Sequence, residues 1–186
     1  MSNIFKPAVL CALISLAGCA TQTAPGAETS GTTLDVFVQN DVPGSATLKG
    51  SFVYAYADSN CSGPVNLARK TFMKDEDQHK TVNIPAGKPF TASVQMVWTR
   101  FGAGGNDFCT VTATFTPQAN SSYRALLKHS NGASTCALQI ADQNDREVAF
   151  QSPVYSCDQN NGTVRNGAAS FRPVVPVGLP ILLPSK

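Results

Sequence analysis

Charge is what this sequence has least of. Only 14% of its 186 residues are Asp, Glu, Lys or Arg, and 14 cations against 12 anions leave a formal charge of +2. An ordinary soluble domain carries roughly 25% charged residues, so neither a basic nucleic-acid binder nor a charge-rich disordered chain fits, and no nucleic-acid partner is expected. Histidine is also scarce. His79 and His129 are the two in the chain, which leaves few candidates for a general base or a metal ligand. No two cysteines stand in the Cys-x-x-Cys spacing that structural zinc sites use. After residue 33 no stretch carries convincing 3.6-residue hydrophobic spacing, which excludes a helical domain. What remains is one domain, long enough to bury roughly two-thirds of the surface its unfolded chain exposes.

The first residues are an address. A charged start, Met1 to Lys6, precedes an apolar run from Pro7 to Leu16 and the small-residue sequence Leu16-Ala17-Gly18-Cys19. The apolar run is too short to cross a bilayer as a helix, and the order of features is that of a signal peptide. Leu16-Ala17-Gly18-Cys19 resembles the lipobox of bacterial lipoprotein signal peptides. That resemblance implies cleavage after Gly18, removing residues 1–18, a diacylglycerol on the Cys19 thiol and an acyl chain on the new amino group. Several acyl chains on one residue anchor a protein far more durably than a single myristoyl group, so a permanent membrane attachment is expected. Ala20 follows, which in families that sort lipoproteins by this position implies the outer membrane, with the domain facing the periplasm. From Ala20 to Thr32 the chain has no large apolar residue, and residues 19–32 are expected to be a lipidated cysteine followed by a flexible tether that lets the domain stand off the membrane.

Six cysteines then sort themselves. Cys11 leaves with the signal peptide and Cys19 carries lipid, so Cys61, Cys109, Cys136 and Cys157 remain as an even set in an oxidising compartment, a disulfide framework. Three connectivities are possible. Cys61 with Cys109 and Cys136 with Cys157 is preferred, because each bridge ties an irregular segment to the start of an expected strand; Cys109 with Cys136 is the alternative.

Period-two alternation dominates the rest, broken by turn residues about every ten positions. Leu34, Val36 and Val38 alternate with polar neighbours until the turn Asp41-Val42-Pro43-Gly44. Residues 48–57 carry Phe52, Tyr54 and Tyr56 on one face and Val53, Ala55 and Ala57 on the other. A short strand over 69–73, another over 80–84, and a long one over 90–101 follow, the last with Ala92, Val94, Met96 and Trp98 facing one way. Cys109, Val111, Ala113 and Phe115 face opposite to Thr110, Thr112, Thr114 and Thr116, the pattern of an antiparallel sheet solvated on its threonine side. Residues 123–129 and 135–141 read as a hairpin around Asn131-Gly132. The expectation is an all-β fold, an antiparallel β-sandwich of about eight strands built by meandering hairpins, with the sandwich over 33–152 and an irregular Pro-rich tail over 153–186. Prolines 173, 176, 180 and 184 exclude a helix or central strand there, leaving an extended strap whose Val174, Val175, Val177, Leu179 and 181–183 pack along the sandwich, or else an apolar docking segment.

The pattern Val82-Asn83-Ile84-Pro85-Ala86-Gly87-Lys88-Pro89, Cys109 leading to Phe115-Thr116-Pro117, and Tyr123 with Cys136-Ala137-Leu138 resembles small Gram-negative lipoproteins with a β-sandwich domain and uncharacterised function. The resemblance spans about residues 50–142 and implies no functional residues.

Chemistry is thinly represented. His79 follows Asp75-Glu76-Asp77, read as a solvated acidic loop, and His129 is read as a surface histidine at a strand end. Neither lies in a nucleophile motif, and the cysteines are expected to be oxidised, so no catalytic residue is assigned. Gly102-Ala103-Gly104-Gly105 lacks the following helix of a phosphate loop and is read as a hairpin loop. Asp142, Asn144, Asp145 and Glu147 lack the glycine and distant glutamate of an EF-hand, so no metal or cofactor is expected. The aromatics Phe52, Tyr54, Tyr56, Trp98, Phe101, Phe115 and Tyr123 are expected in the core; on an exposed face some of them with Trp98 would make a sugar-stacking platform. The function expected is that of a non-catalytic binding or accessory module for an envelope protein or glycan. The alternative is an inhibitor or immunity-type lipoprotein blocking a periplasmic hydrolase through a braced loop over 102–107.

Overall fold

The computed structural model describes residues 22–27, 30–40, 47–72, 78–100, 104–129, 134–157 and 164–173. The expected signal peptide over 1–18, Cys19, the expected turn over 41–44, the acidic run 75–77, Phe101, the dipeptide Asn131-Gly132 and the sequence from Val174 lie outside the described residues.

Ten strands form in chain order: β1 Gln22–Thr23, β2 Thr32–Asn40, β3 Thr47–Tyr56, β4 Val65–Phe72, β5 Gln78–Ile84, β6 Phe90–Arg100, β7 Gly105–Phe115, β8 Ser122–His129, β9 Cys136–Asp142 and β10 Ala169–Pro173. No helix occurs among the described residues. The strands make two five-stranded sheets, β1-β5-β2-β8-β9 and β10-β7-β6-β3-β4. The expected all-β sandwich is therefore the fold.

The order of strands is not a meander. The hairpins β3-β4 and β6-β7 belong to the second sheet and β8-β9 to the first, and β2 pairs with β8 in parallel, from Thr33 with Ser122 to Asn40 with His129. A parallel pair needs a crossover, and here the crossover passes through the opposite sheet. Local alternation marks strands well and says nothing about which strand each one meets.

Between the sheets lie Leu34, Val36 and Val38 of β2, Val53 and Ala55 of β3, and Val82 and Ile84 of β5. The β2 and β5 residues come from the first sheet; facing them from the second, beside Val53 and Ala55, are Val94, Met96 and Trp98 of β6 with Cys109, Val111, Ala113 and Phe115 of β7. Phe115 meets Phe90 and Tyr123 edge to face at 6.1 and 5.3 Å, closing one end of this core. Each fully buried Val, Leu, Ile, Phe or Met side chain stabilises by roughly 1.5–3 kcal/mol, so the alternating set supplies most of the fold's driving force.

The flexible tether expected over 20–32 is corrected for most of its length. β1 pairs in parallel with β5, Gln22 opposite Val82 and Thr23 opposite Asn83. Ala24 and Ala27 are buried in the core cluster. Ser30 Oγ donates to the Ile84 carbonyl at 2.5 Å, and Asn120 N donates to the Ser30 carbonyl at 3.1 Å. Two left-handed glycines, Gly26 at φ +78 and Gly31 at φ +58, make the turns possible. Alanine loses no side-chain entropy when buried, which is how a segment without large apolar residues can dock. The segment also covers the β5 edge, which would otherwise present unpaired backbone groups.

Candidate functional site

The outer face of the second sheet is where the structure departs most from expectation. The threonine side of β6 and β7 was expected to face water. Instead Thr91, Ser93, Gln95, Thr110 and Thr112 are all buried. Across the β6-β7 ladder Thr91 meets Thr114 at 2.9 Å, Ser93 meets Thr112 at 2.9 Å, and Gln95 Nε2 donates to Thr110 Oγ1 at 2.8 Å. What covers part of this face is the chain itself. Cys157 N donates to Thr112 Oγ1 at 2.8 Å, while the Cys157 carbonyl accepts from Tyr56 Oη at 2.5 Å and from Ser93 Oγ at 3.2 Å.

A disulfide holds the same residue from the side. The bridges are Cys61–Cys157 and Cys109–Cys136, with Cα separations of 5.3 and 6.2 Å. This corrects the preferred Cys61–Cys109 and Cys136–Cys157 pairing and realises the alternative. The physical reason is the pleat. Cys109 alternates inward with Val111, so it meets Cys136 of the opposite sheet across the core, and only Cys61 is left for Cys157. Cys61 is presented by a tight turn in which Asp58 Oδ1 accepts from Asn60 N at 2.8 Å and Ser62 N at 3.2 Å. Those hydrogen bonds, with Ser62 the main contributor, hold the Asp58 carboxyl below its ordinary value and set Cys61 at φ +65.

The described chain after β9, to residue 157 and again over 164–173, is accordingly less irregular than expected. After β9 the chain pairs Gln151 with Thr114, N to O in both directions at 2.9 Å. Asn166 then inserts its side-chain amide at Thr112: Oδ1 accepts from Thr112 N at 2.7 Å and Nδ2 donates to the Thr112 carbonyl at 3.0 Å. Gly167 N donates to the Thr110 carbonyl at 2.9 Å, and β10 pairs with residues 105–109. The whole free edge of β7 is thereby filled from Gly105 to Thr114, partly by backbone and partly by one side chain acting as a strand.

The aromatics divide. Trp98, Phe115 and Tyr123 are buried in the core, as expected, whereas Tyr56 is buried on the outer face beneath the Cys157 carbonyl. Phe52 and Tyr54 are not in the core, because Val53 and Ala55 fill that side of β3. They stand half-buried on the outer face, 6.2 Å apart with an interplanar angle of 10°, and the Arg69 guanidinium lies 5.6 Å from the Phe52 ring centroid. At the other margin Arg172 lies 4.5 Å from the Phe108 ring, and Phe171 is 50% exposed. Trp98 belongs to neither group, so the platform containing it does not exist.

The two histidines are placed differently from expectation in one case. His129 is 3% exposed, not a surface residue, and its ring lies 4.7 Å from that of Trp98. The cross-strand register puts Lys49 and Asp107 on either side of Trp98, and Lys49 is buried. None of Lys49, Asp107 and His129 is without a partner. The sequence signal for this group is a lysine in phase with Val53 and Ala55 on β3. His79 is exposed, stacks on Phe37 at 4.5 Å and sits 3.4 Å from Asp35.

Asp142, Asn144 and Asp145 form a turn. Asp142 Oδ1 accepts from Asn144 N at 2.8 Å and Arg146 N at 3.1 Å, and its Oδ2 accepts from Arg146 Nε at 2.9 Å. The Arg146 side chain chiefly holds the Asp142 carboxyl below its ordinary value. Arg124 pairs with Asp145, and Glu147 bridges back to Ala141. Of the expected hairpin loop over 102–105 and braced loop over 102–107, Gly105, Asn106 and Asp107 are strand, paired with β6 and β10. A cleft of about 510 Å³ is lined by Pro89, Thr114, Phe115, Thr116 and Phe150 with their neighbours, and no titratable side chain lines it. No group of three His, Cys, Asp or Glu side chains that could hold a metal ion occurs among the described residues. No helix among them is long and apolar enough to cross a membrane.

No protein-family model, curated protein or solved structure matches this chain.

Proposed function

We propose that this protein is a lipid-anchored, non-catalytic module of the bacterial cell envelope, attached through Cys19 to the outer membrane on its periplasmic side, that binds an envelope glycan through the outer face of its second sheet. The observation that carries the binding reading is the Phe52-Tyr54 ladder with Arg69 beside it, on a face whose other polar side chains are engaged by the chain itself. Parallel rings beside a guanidinium offer apolar contact to sugar rings and a charge for an anionic substituent. For the inhibitor reading, Gly105 to Asp107 of its expected loop are paired strand, which favours the glycan reading.

Co-sedimentation with purified peptidoglycan sacculi tests this. The wild-type protein is expected in the pellet. Truncating an anchoring aromatic at an interface commonly costs more than about 1 kcal/mol, so the Phe52→Ala/Tyr54→Ala variant should bind roughly tenfold or more weakly. A melting curve close to wild type shows that the variant is folded. A folded double variant that sediments like wild type, or a wild-type protein that stays in solution, overturns the glycan assignment.

A further inference from the structure

We infer that the mature domain is held directly against the phospholipid bilayer, with the β1–β5 edge at its Lys80 end as the contacting surface. This rests on the lipid attachment at Cys19 proposed above and concerns what that attachment does to the domain.

The inference comes from the short stretch of sequence between Cys19 and the docked strand β1. Gln22 is already opposite Val82, Thr23 is opposite Asn83, and Ala24 N donates to the Asn83 carbonyl at 2.9 Å. Ala24 is 1% exposed, so the docked segment is part of the core and not an adsorbed tail. Only Ala20 and Thr21 stand between Cys19 and the paired Gln22. An extended chain covers at most about 3.6 Å per residue, so the Cys19 and Gln22 Cα atoms can be no more than about 11 Å apart. The headgroup layer on one side of a bilayer is roughly 5–8 Å deep. A cysteine whose acyl chains are in the membrane therefore leaves the domain almost no clearance above the headgroups.

Strand direction says which part of the domain comes down. β1 runs parallel to β5, so the chain enters the sandwich from the end where β5 begins, at Gln78, His79 and Lys80. His79 and Lys80 are both exposed there. An ammonium at this position suits the phosphates of an anionic leaflet. The opposite end of β5 leads through Pro85 to Lys88 and Phe90, where Gly87 N bonds the Pro117 carbonyl, and that end is directed away from the anchor.

The test uses the lipidated, full-length mature protein in vesicles of phosphatidylethanolamine with a minority of phosphatidylglycerol. Trp98 is the one tryptophan in the chain, so it serves as energy donor to a dansyl-headgroup lipid without further engineering. A Gly/Ser insertion of about twenty residues between Ala20 and Thr21 adds a root-mean-square span of about 25 Å. Wild type is expected to transfer efficiently and the insertion variant several-fold less. In parallel, a membrane-impermeant amine-acetylating reagent should modify Lys80 several-fold more slowly in the vesicle-bound wild type than in the unlipidated Cys19→Ala protein. Lys88 should be modified equally in both, and the insertion should restore Lys80 reactivity. Equal energy transfer in the two lipidated proteins, or equal acetylation of Lys80, overturns the inference. Failure of the attachment reading looks different: wild type then takes up no lipid label and stays in the aqueous phase as Cys19→Ala does, which removes the anchor and the contact together.

Discussion

The Cys61–Cys157 bridge makes a prediction whose size follows from the topology of the chain. Its two cysteines are 96 residues apart, and the second bridge, Cys109–Cys136, lies wholly inside that loop with a separation of 27. In the chain-entropy account a bridge stabilises by restricting the unfolded chain, by about 4.7 kcal/mol for a loop near 100 residues. Nesting lowers this. With the inner bridge intact the unfolded path runs from Cys61 to Cys109 and on from Cys136 to Cys157, about 70 residues, which reduces the outer contribution to about 4.4 kcal/mol. The inner bridge closes its own shorter loop and contributes about 3.6 kcal/mol. The outer bridge, the more exposed of the two, should therefore be the more costly to lose. The assay is urea unfolding followed by Trp98 fluorescence, comparing Cys61→Ala/Cys157→Ala with Cys109→Ala/Cys136→Ala. At a slope of about 2 kcal/mol/M, the outer double variant should lose roughly 2 M in midpoint. Thiol counting on the same variant after denaturation without reductant should find none free, because Cys109 and Cys136 bridge each other. Two free thiols there would show that each remaining cysteine had lost its partner and would refute the pairing. A cost for the outer pair well below that of the inner pair would refute the loop argument.

Asn166→Ala removes both hydrogen bonds to the Thr112 backbone. An unmet buried amide costs about 1–3 kcal/mol, so Tm should fall by roughly 5 °C, and an unchanged Tm would show that the amide does not complete the β7 edge. Asp142→Asn tests the turn after β9. The Asp142 carboxyl is held below its ordinary 3.8 in the folded protein, so its contribution is fully present above that value and is lost as pH falls through the lowered folded value. The variant should be less stable than wild type at pH 7, with the difference closing below about pH 4; a difference that persists at lower pH would contradict the role given to Arg146.

The sandwich was legible because its strands alternate. Leu34, Val36 and Val38, or Cys109, Val111 and Ala113, carry their inward side in the sequence, and the structure buries those residues. Alternation is a property of one strand at a time. It could not show that β2 lies beside β8, that Cys109 reaches Cys136, or that Ala24 and Ala27 seat against β5, since each depends on segments distant in sequence. It misled at Phe52 and Tyr54. Large aromatic side chains were read as core, whereas the inward side of β3 belongs to the smaller Val53 and Ala55, and the rings stand outside. The surface reading of His129 failed for a related reason: its place against Trp98 comes from the opposite sheet.

The threonine face shows how a chain so poor in charge can still hold an irregular segment in place. A hydroxyl both donates and accepts, so a row of Ser and Thr can satisfy a backbone laid over it without strict register. Charged side chains in that row would have carried a desolvation cost that a single backbone amide and carbonyl could not offset. The Cys157 peptide meets three such hydroxyls, Tyr56, Ser93 and Thr112, while its side chain is fixed to Cys61. Such a face looks solvated in sequence because threonine is compatible with water, but here the same residues are acceptors and donors for the chain's own return. What the return leaves half-open on that sheet is the part with the fewest hydroxyls, Phe52 and Tyr54 with Arg69. A partner approaching this side therefore meets stacked rings and a guanidinium, and that is why the binding reading rests on those residues and not on the threonines.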